Sequence, residues 1–125
     1  MHMEITQAVD FLGRFVQTKM PQDDLSSFKD DLSSELRERF ENHWHAHEPM
    51  RGSGYRSISN FNGALDPILT KVACRCKVDP SLIHDNLPRD FILWIDPYSV
   101  SYRVGDRSNI MTLFEDRTRG RITFK

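Results

Sequence analysis

The chain of 125 residues sets 17 Lys and Arg against 18 Asp and Glu, a net charge of −1, with 38% hydrophobic residues. That is enough chain for one domain burying roughly two thirds of its unfolded surface. The near-neutral balance argues against a dedicated nucleic-acid binder that holds phosphates through a basic excess, and no apolar run approaches the roughly 20 residues of a membrane span.

The opening Met1-His2-Met3-Glu4 has neither the basic region nor the apolar segment of a secretion signal, so secretion is not expected. Ile5, Ala8, Val9, Leu12, Phe15 and Val16 then form one stripe at helical spacing, closed by Met20-Pro21. A second helix is expected after Asp23 or Asp24, either of which could cap it, with Leu25, Phe28, Leu32, Leu36 and Phe40 turned to the same core. Periodicity is lost over 45–54, where Glu48-Pro49 and Gly52-Ser53-Gly54 read as loop. Asp66-Pro67 and Asp79-Pro80 each place a capping aspartate before a proline at the first helical position. The first opens a helix with Ile68, Leu69, Val72, Ala73 and Cys76 inward; the second opens a short one with Leu82, Ile83 and Leu87, stopped by Pro88. Cys74 and Cys76, two apart on a helix, point in different directions, so no bridge joins them and a reducing compartment, cytosol or nucleus, is expected.

From residue 91 the period becomes two. Phe91-Ile92-Leu93-Trp94-Ile95-Asp96 is a strand with Phe91, Leu93 and Ile95 on one face and Ile92, Trp94 and Asp96 on the other, ended by Pro97. Residues 99–104 and 110–115 give an antiparallel hairpin around a turn at 105–109, and 121–125 form either a last edge strand or a frayed end. Helices followed by strands predict an α+β domain. Charge is uneven along it: residues 21–41 hold seven acids against three bases, and residues 101–125 six bases against three acids. These segments read either as solvated faces or as the two sides of a head-to-tail contact between copies.

Little in the chain demands catalysis. His43, His45 and His47 alternate and could line one side of an extended segment, but a structural zinc site takes four ligands at spacings absent here, and Pro49 breaks the only approach to a His-Glu-x-x-His pattern. Gly52-Ser53-Gly54 lacks the third glycine and the Gly-Lys-Ser/Thr of phosphate loops, and no Gly-x-Ser-x-Gly elbow occurs. Neither an enzyme, a metal nor a cofactor is expected. What stands out is Trp94, which is either core or a partly exposed anchor beside Asp96, and Tyr55 directly after the glycines.

The stretches NHWHAHEPMRGSGYRSI (42–58) and NLPRDFILWIDPYSVSYRVGD (86–106) resemble the two signature boxes of the BTG/Tob antiproliferative family, and the likeness runs from the first helix to about Phe114. The resemblance implies a compact α+β domain, about four to five helices on a small, mainly antiparallel sheet, over residues 1–115, with 116–125 as an extension. It further implies a non-catalytic adaptor, cytoplasmic and nuclear, that binds the exonuclease subunit of the CCR-NOT deadenylase complex and promotes poly(A) shortening. In that family the aromatic of the glycine box and the tryptophan of the second box contact the deadenylase. The corresponding residues here are Tyr55 and Trp94, with Asp96 and Pro97 shaping the same surface.

Four departures mark this chain. His45 and His47 stand where aromatic and acidic residues are usual, Ser57 replaces a cysteine, Ser99 replaces a glutamate, and Phe91-Ile92 are more apolar than the pattern. The extra apolar surface and the charge asymmetry suit a dimer or polymer of this domain as an alternative. Direct RNA contact through Arg117, Arg119, Arg121 and Phe124 is a third reading; otherwise RNA is reached through partners. No membrane and no small-molecule substrate are expected. The chain stops at Lys125 without the tail many relatives carry, leaving room for a longer native protein.

Overall fold

A computed structural model describes residues 1–105 and 108–117. Its first two helices, α1 (His2–Val16) and α2 (Gln22–Phe40), pack on each other through the two stripes expected from spacing. Ile5, Ala8, Val9 and Leu12 of α1 meet a core that takes in Phe28, Leu32, Leu36 and Phe40 of α2, all with 2% exposure or less. Each large apolar side chain so buried contributes roughly 1.5–3 kcal/mol relative to exposure. The expected aspartate cap on α2 is not formed. The helix begins two to three residues earlier, with Pro21 at the cap position and no side-chain cap bond, so Asp23 and Asp24 sit in the first turn. There their charges favour the positive end of the helix dipole instead.

Two strands not foreseen from the sequence follow: β1 (Ser57–Phe61) and β2 (Ala64–Leu65), paired antiparallel across Asn62-Gly63. Positive φ at both turn residues (54° and 73°) is the twist-matched hairpin turn for which Asn-Gly is preferred. Helices α3 (Pro67–Arg75) and α4 (Pro80–Asn86) start as expected. Asp66 accepts from the Ile68 N–H and Asp79 from the Ser81 N–H, each at 3.0 Å. α3 closes with Val78 N–H on the Ala73 carbonyl (2.8 Å) and Lys77 N–H on the Cys74 carbonyl (3.2 Å), and Lys77 takes the left-handed position, φ 61°. Cys74 and Cys76 are free thiols.

Strands β3 (Phe91–Asp96), β4 (Ser99–Val104) and β5 (Met111–Glu115) complete an antiparallel sheet ordered β2-β1-β3-β4-β5. The helices cover one face. There Phe91, Leu93, Ile95 and Val100 are sealed, and Phe11 of α1 lies 4.6 Å from the Tyr102 ring and 6.2 Å from that of Phe91. Among the described residues, none of the four helices lies on the other face. Ser57, Ser59 and Phe61 of β1, Ile92 and Trp94 of β3, and Ser99, Ser101 and Arg103 of β4 are all only half-buried there. The β3–β4 turn, Pro97-Tyr98, puts Tyr98 at φ 68° and is tied to the helical layer by Glu4 of α1, whose Oε2 accepts the Tyr98 N–H at 2.9 Å. Among the described residues, then, four helices lie on a five-stranded antiparallel sheet in one compact domain, and no helix is long and apolar enough to cross a membrane. The edge strand or frayed end considered for 121–125 lies outside the described residues.

Candidate functional site

The parity of β1 determines what lies beneath the glycine loop. Ile58 and Asn60 point inward, and Arg56, two residues earlier, points the same way and is completely buried. Its Nε donates to the Ile95 carbonyl (2.8 Å), Nη1 to the carbonyls of His43 (2.6 Å) and Arg51 (2.8 Å), and Nη2 to the Pro49 carbonyl and Asp96 Oδ1, both 2.8 Å. A guanidinium has five N–H groups, and all five are satisfied. Its central carbon also lies 5.4 Å from the centroid of the Trp44 ring. Asp96 uses its second oxygen to accept from Ser53 Oγ at 3.1 Å. One charged side chain therefore clamps the irregular 43–53 segment to the end of β3.

This clamp changes how Asp96 and Pro97 relate to the surface. Strand alternation puts Asp96 on the face of Trp94, but the loop folds over it. Asp96 is 4% exposed and ion-paired to Arg56, and Pro97 is buried too. Both shape the surface from beneath it. The sequence contains the signal for this, an arginine on the inward parity of a strand together with a carboxylate at the end of another, but the strand at 57–61 had to be recognised first. Gly52 belongs to the same device. Its φ is +77°, and a Cβ there would come within 3.0 Å of Arg56 Nη1.

Tyr55 and Trp94 occupy neighbouring but distinct settings. Tyr55 is 43% exposed and leans on the end of α2, its ring centroid 4.0 Å from that of His43 and 5.0 Å from the Arg39 guanidinium carbon. It borders a groove of about 510 Å³ between α2 and α3 that Ile68 and Lys71 also line. Trp94 lies on the helix-free sheet face, directly opposite Ser57 of β1 and Ser101 of β4, with Arg103 5.9 Å from its ring. Ser57, two residues past Tyr55, is the link between them. The cysteine usual there would place a larger, more polarizable atom beside the indole.

The three histidines do not form an extended row. Residues 45–53 coil through successive turns, Glu48 N–H to the His45 carbonyl and Arg51 N–H to the Glu48 carbonyl, while the His43 ring stacks on Tyr55. Among the described residues no group of three His, Cys, Asp or Glu side chains is disposed to hold a metal ion. The acidic excess of α2 is partly matched inside the fold. Asp31 pairs with Arg75 (3.0 Å) and Glu35 with Arg75 (2.8 Å) and Lys71 (3.2 Å) of α3. The Arg75 hydrogen bond is the largest influence holding the Glu35 carboxyl below its usual value.

A helical layer on one face of a five-stranded antiparallel sheet, an opposite face bearing a tryptophan, and a clamped aromatic loop beside it define a domain of BTG/Tob architecture. The BTG/Tob domain of C. elegans FOG-3, solved with two substitutions, has this fold, with a TM-score of 0.83 over 97% of this chain and 87% of that one at 21% identity. The chain belongs to the BTG family, whose sequence profile matches residues 1–114. Human Protein BTG2 is 37% identical over 115 residues, which are 90% of this chain and 72% of that protein. Human Protein Tob1 is 31% identical over 116 residues, and the chain spans only 33% of Tob1's length.

Proposed function

We propose that this domain is a non-catalytic adaptor of the antiproliferative type that binds the exonuclease subunit of the CCR-NOT deadenylase complex and so promotes poly(A) shortening. The observation that carries this reading is Trp94, an indole half-buried on the sheet face that none of the four described helices covers, within the stretch that resembles the family's second box. Tyr55 supplies a second aromatic at the rim, and Asp96, bonded to Arg56 and Ser53, holds the loop that precedes Tyr55 against the end of β3. Large aromatics at a partly desolvated rim are the usual energetic anchors of protein interfaces.

The test is a binding measurement with the purified exonuclease subunit, wild type beside Trp94→Ala and Tyr55→Ala. Truncating an interface anchor costs at least about 2 kcal/mol, more than roughly thirtyfold in affinity, while thermal unfolding should hardly move because neither ring is sealed in the core. Loss of folding in Trp94→Ala, or unchanged affinity in a folded Trp94→Ala, sinks the reading. Self-association stays an outcome of the same work. Sedimentation showing assembly that Trp94→Ala abolishes, with no deadenylase bound, would assign the face to a second copy.

A further inference from the structure

Charge on the open sheet face does not cancel. Asp96 is neutralised from beneath by Arg56, and Ser99, opposite it across the β3–β4 pair, carries no charge where the family pattern has an acid. Glu115, opposite Ser99 on β5, holds its own counter-charge, with Arg117 Nε 2.8 Å away. Ser57, Ser59, Ser101 and Thr112 are neutral. Arg103, cross-strand partner of Ile92, is thus the one uncompensated charge on this face among the described residues.

Its local geometry is unusual as well. Arg103 Nε is shielded from water and has no hydrogen-bond partner, while the guanidinium carbon lies 5.9 Å from the Trp94 ring centroid. The Nε side of the group is therefore packed against the domain itself, and the terminal Nη groups are the donors left within reach of a partner. The cation–π contact holds the guanidinium beside the indole in the unbound state, so the anchor and the charge are presented together.

We propose that Arg103 is the specificity-determining residue of the Trp94 surface and that the deadenylase subunit docks there by setting a carboxylate, from an aspartate or glutamate flanked by apolar side chains, along the terminal Nη1–Nη2 edge of its guanidinium. The inference rests on the deadenylase reading of the preceding subsection. A carboxylate on that edge accepts two parallel N–H bonds, a geometry a lysine cannot reproduce. The apolar neighbours of that carboxylate would rest on Trp94, Ile92 and Phe61, which line the same face.

The experiment measures the dissociation constant for the purified exonuclease subunit with wild type, Trp94→Ala, Arg103→Gln, Arg103→Lys and Arg103→Glu at several salt concentrations. Folding of each variant is checked by thermal unfolding. The expected result is a loss of about tenfold or more for Arg103→Gln, partial recovery in Arg103→Lys, a larger loss in Arg103→Glu, and wild-type affinity that falls with salt while that of Arg103→Gln is flatter. Trp94→Ala weakened with Arg103→Gln unchanged overturns the inference and leaves the docking surface standing. Trp94→Ala unchanged overturns both. Arg103→Lys, which keeps the charge, decides the matter if Arg103→Gln fails to fold, since a folded Arg103→Lys with wild-type affinity is incompatible with a two-bonded carboxylate on Arg103 and a loss supports it.

Discussion

Lysine at position 56 keeps the charge of arginine but offers three N–H donors where the site holds five acceptors: the carbonyls of His43, Pro49, Arg51 and Ile95, and Asp96 Oδ1. At least two of these acceptors must lose their bond at a site where the side chain they share is fully buried. At about 1–3 kcal/mol for each buried group left unsatisfied, Arg56→Lys should destabilise the domain by about 2–6 kcal/mol. That is a large share of the 5–15 kcal/mol typical of a native domain. Urea unfolding followed by tryptophan fluorescence reads it directly, and with a slope of about 1.5 kcal/mol/M a loss near 3 kcal/mol lowers the midpoint by about 2 M. Limited trypsin digestion should show faster cleavage at Arg51, which lies in the segment the guanidinium retains. A change below about 0.5 kcal/mol, the size of an ordinary surface substitution, would refute the view that Arg56 holds the loop to the sheet.

Lys77 occupies a left-handed position that glycine adopts without a Cβ penalty, so Lys77→Gly should raise the urea midpoint by the equivalent of about 0.5–1 kcal/mol, and a loss of stability would count against the assigned cap. Burial by itself pushes the Glu4 carboxyl up, but the Tyr98 and Glu4 backbone N–H groups and the chain's amino group outweigh it and hold the carboxyl below the ordinary 4.5. The linkage sign follows: the stability Glu4 contributes is fully present above 4.5 and is lost as pH falls below it through the depressed folded-state value. Glu4→Gln should therefore flatten the acid limb of a stability–pH curve, and an unchanged limb would assign that limb to other carboxylates.

How much of this was legible in the residues differs by element. The stripes of α1 and α2 and the two Asp-Pro helix starts were readable because burial, capping and proline geometry are local rules, acting within a turn or two. The hairpin of β1 and β2 was not. Its inward positions carry Ile58 beside the polar Arg56 and Asn60, so the hydrophobic alternation that marks a strand is diluted, and only Asn62-Gly63 remained as a signal. The half-burial of Trp94 likewise depends on which sheet face the helices choose, which a period of two cannot say. The burial of Asp96 depends on a contact forty residues away in sequence with Arg56, and the pairing of α2's Asp31 and Glu35 with α3 is equally non-local.

The guanidinium beneath the glycine loop also has a consequence for genetics. Tyr55 rides on a segment whose shape is held by Arg56 and Gly52, neither of which needs to touch a partner. A screen for lost association would therefore recover changes at both positions alongside changes at the indole. Only a measure of folding would tell the two classes apart, because one kind of lesion removes the handhold and the other removes the wall on which it is mounted.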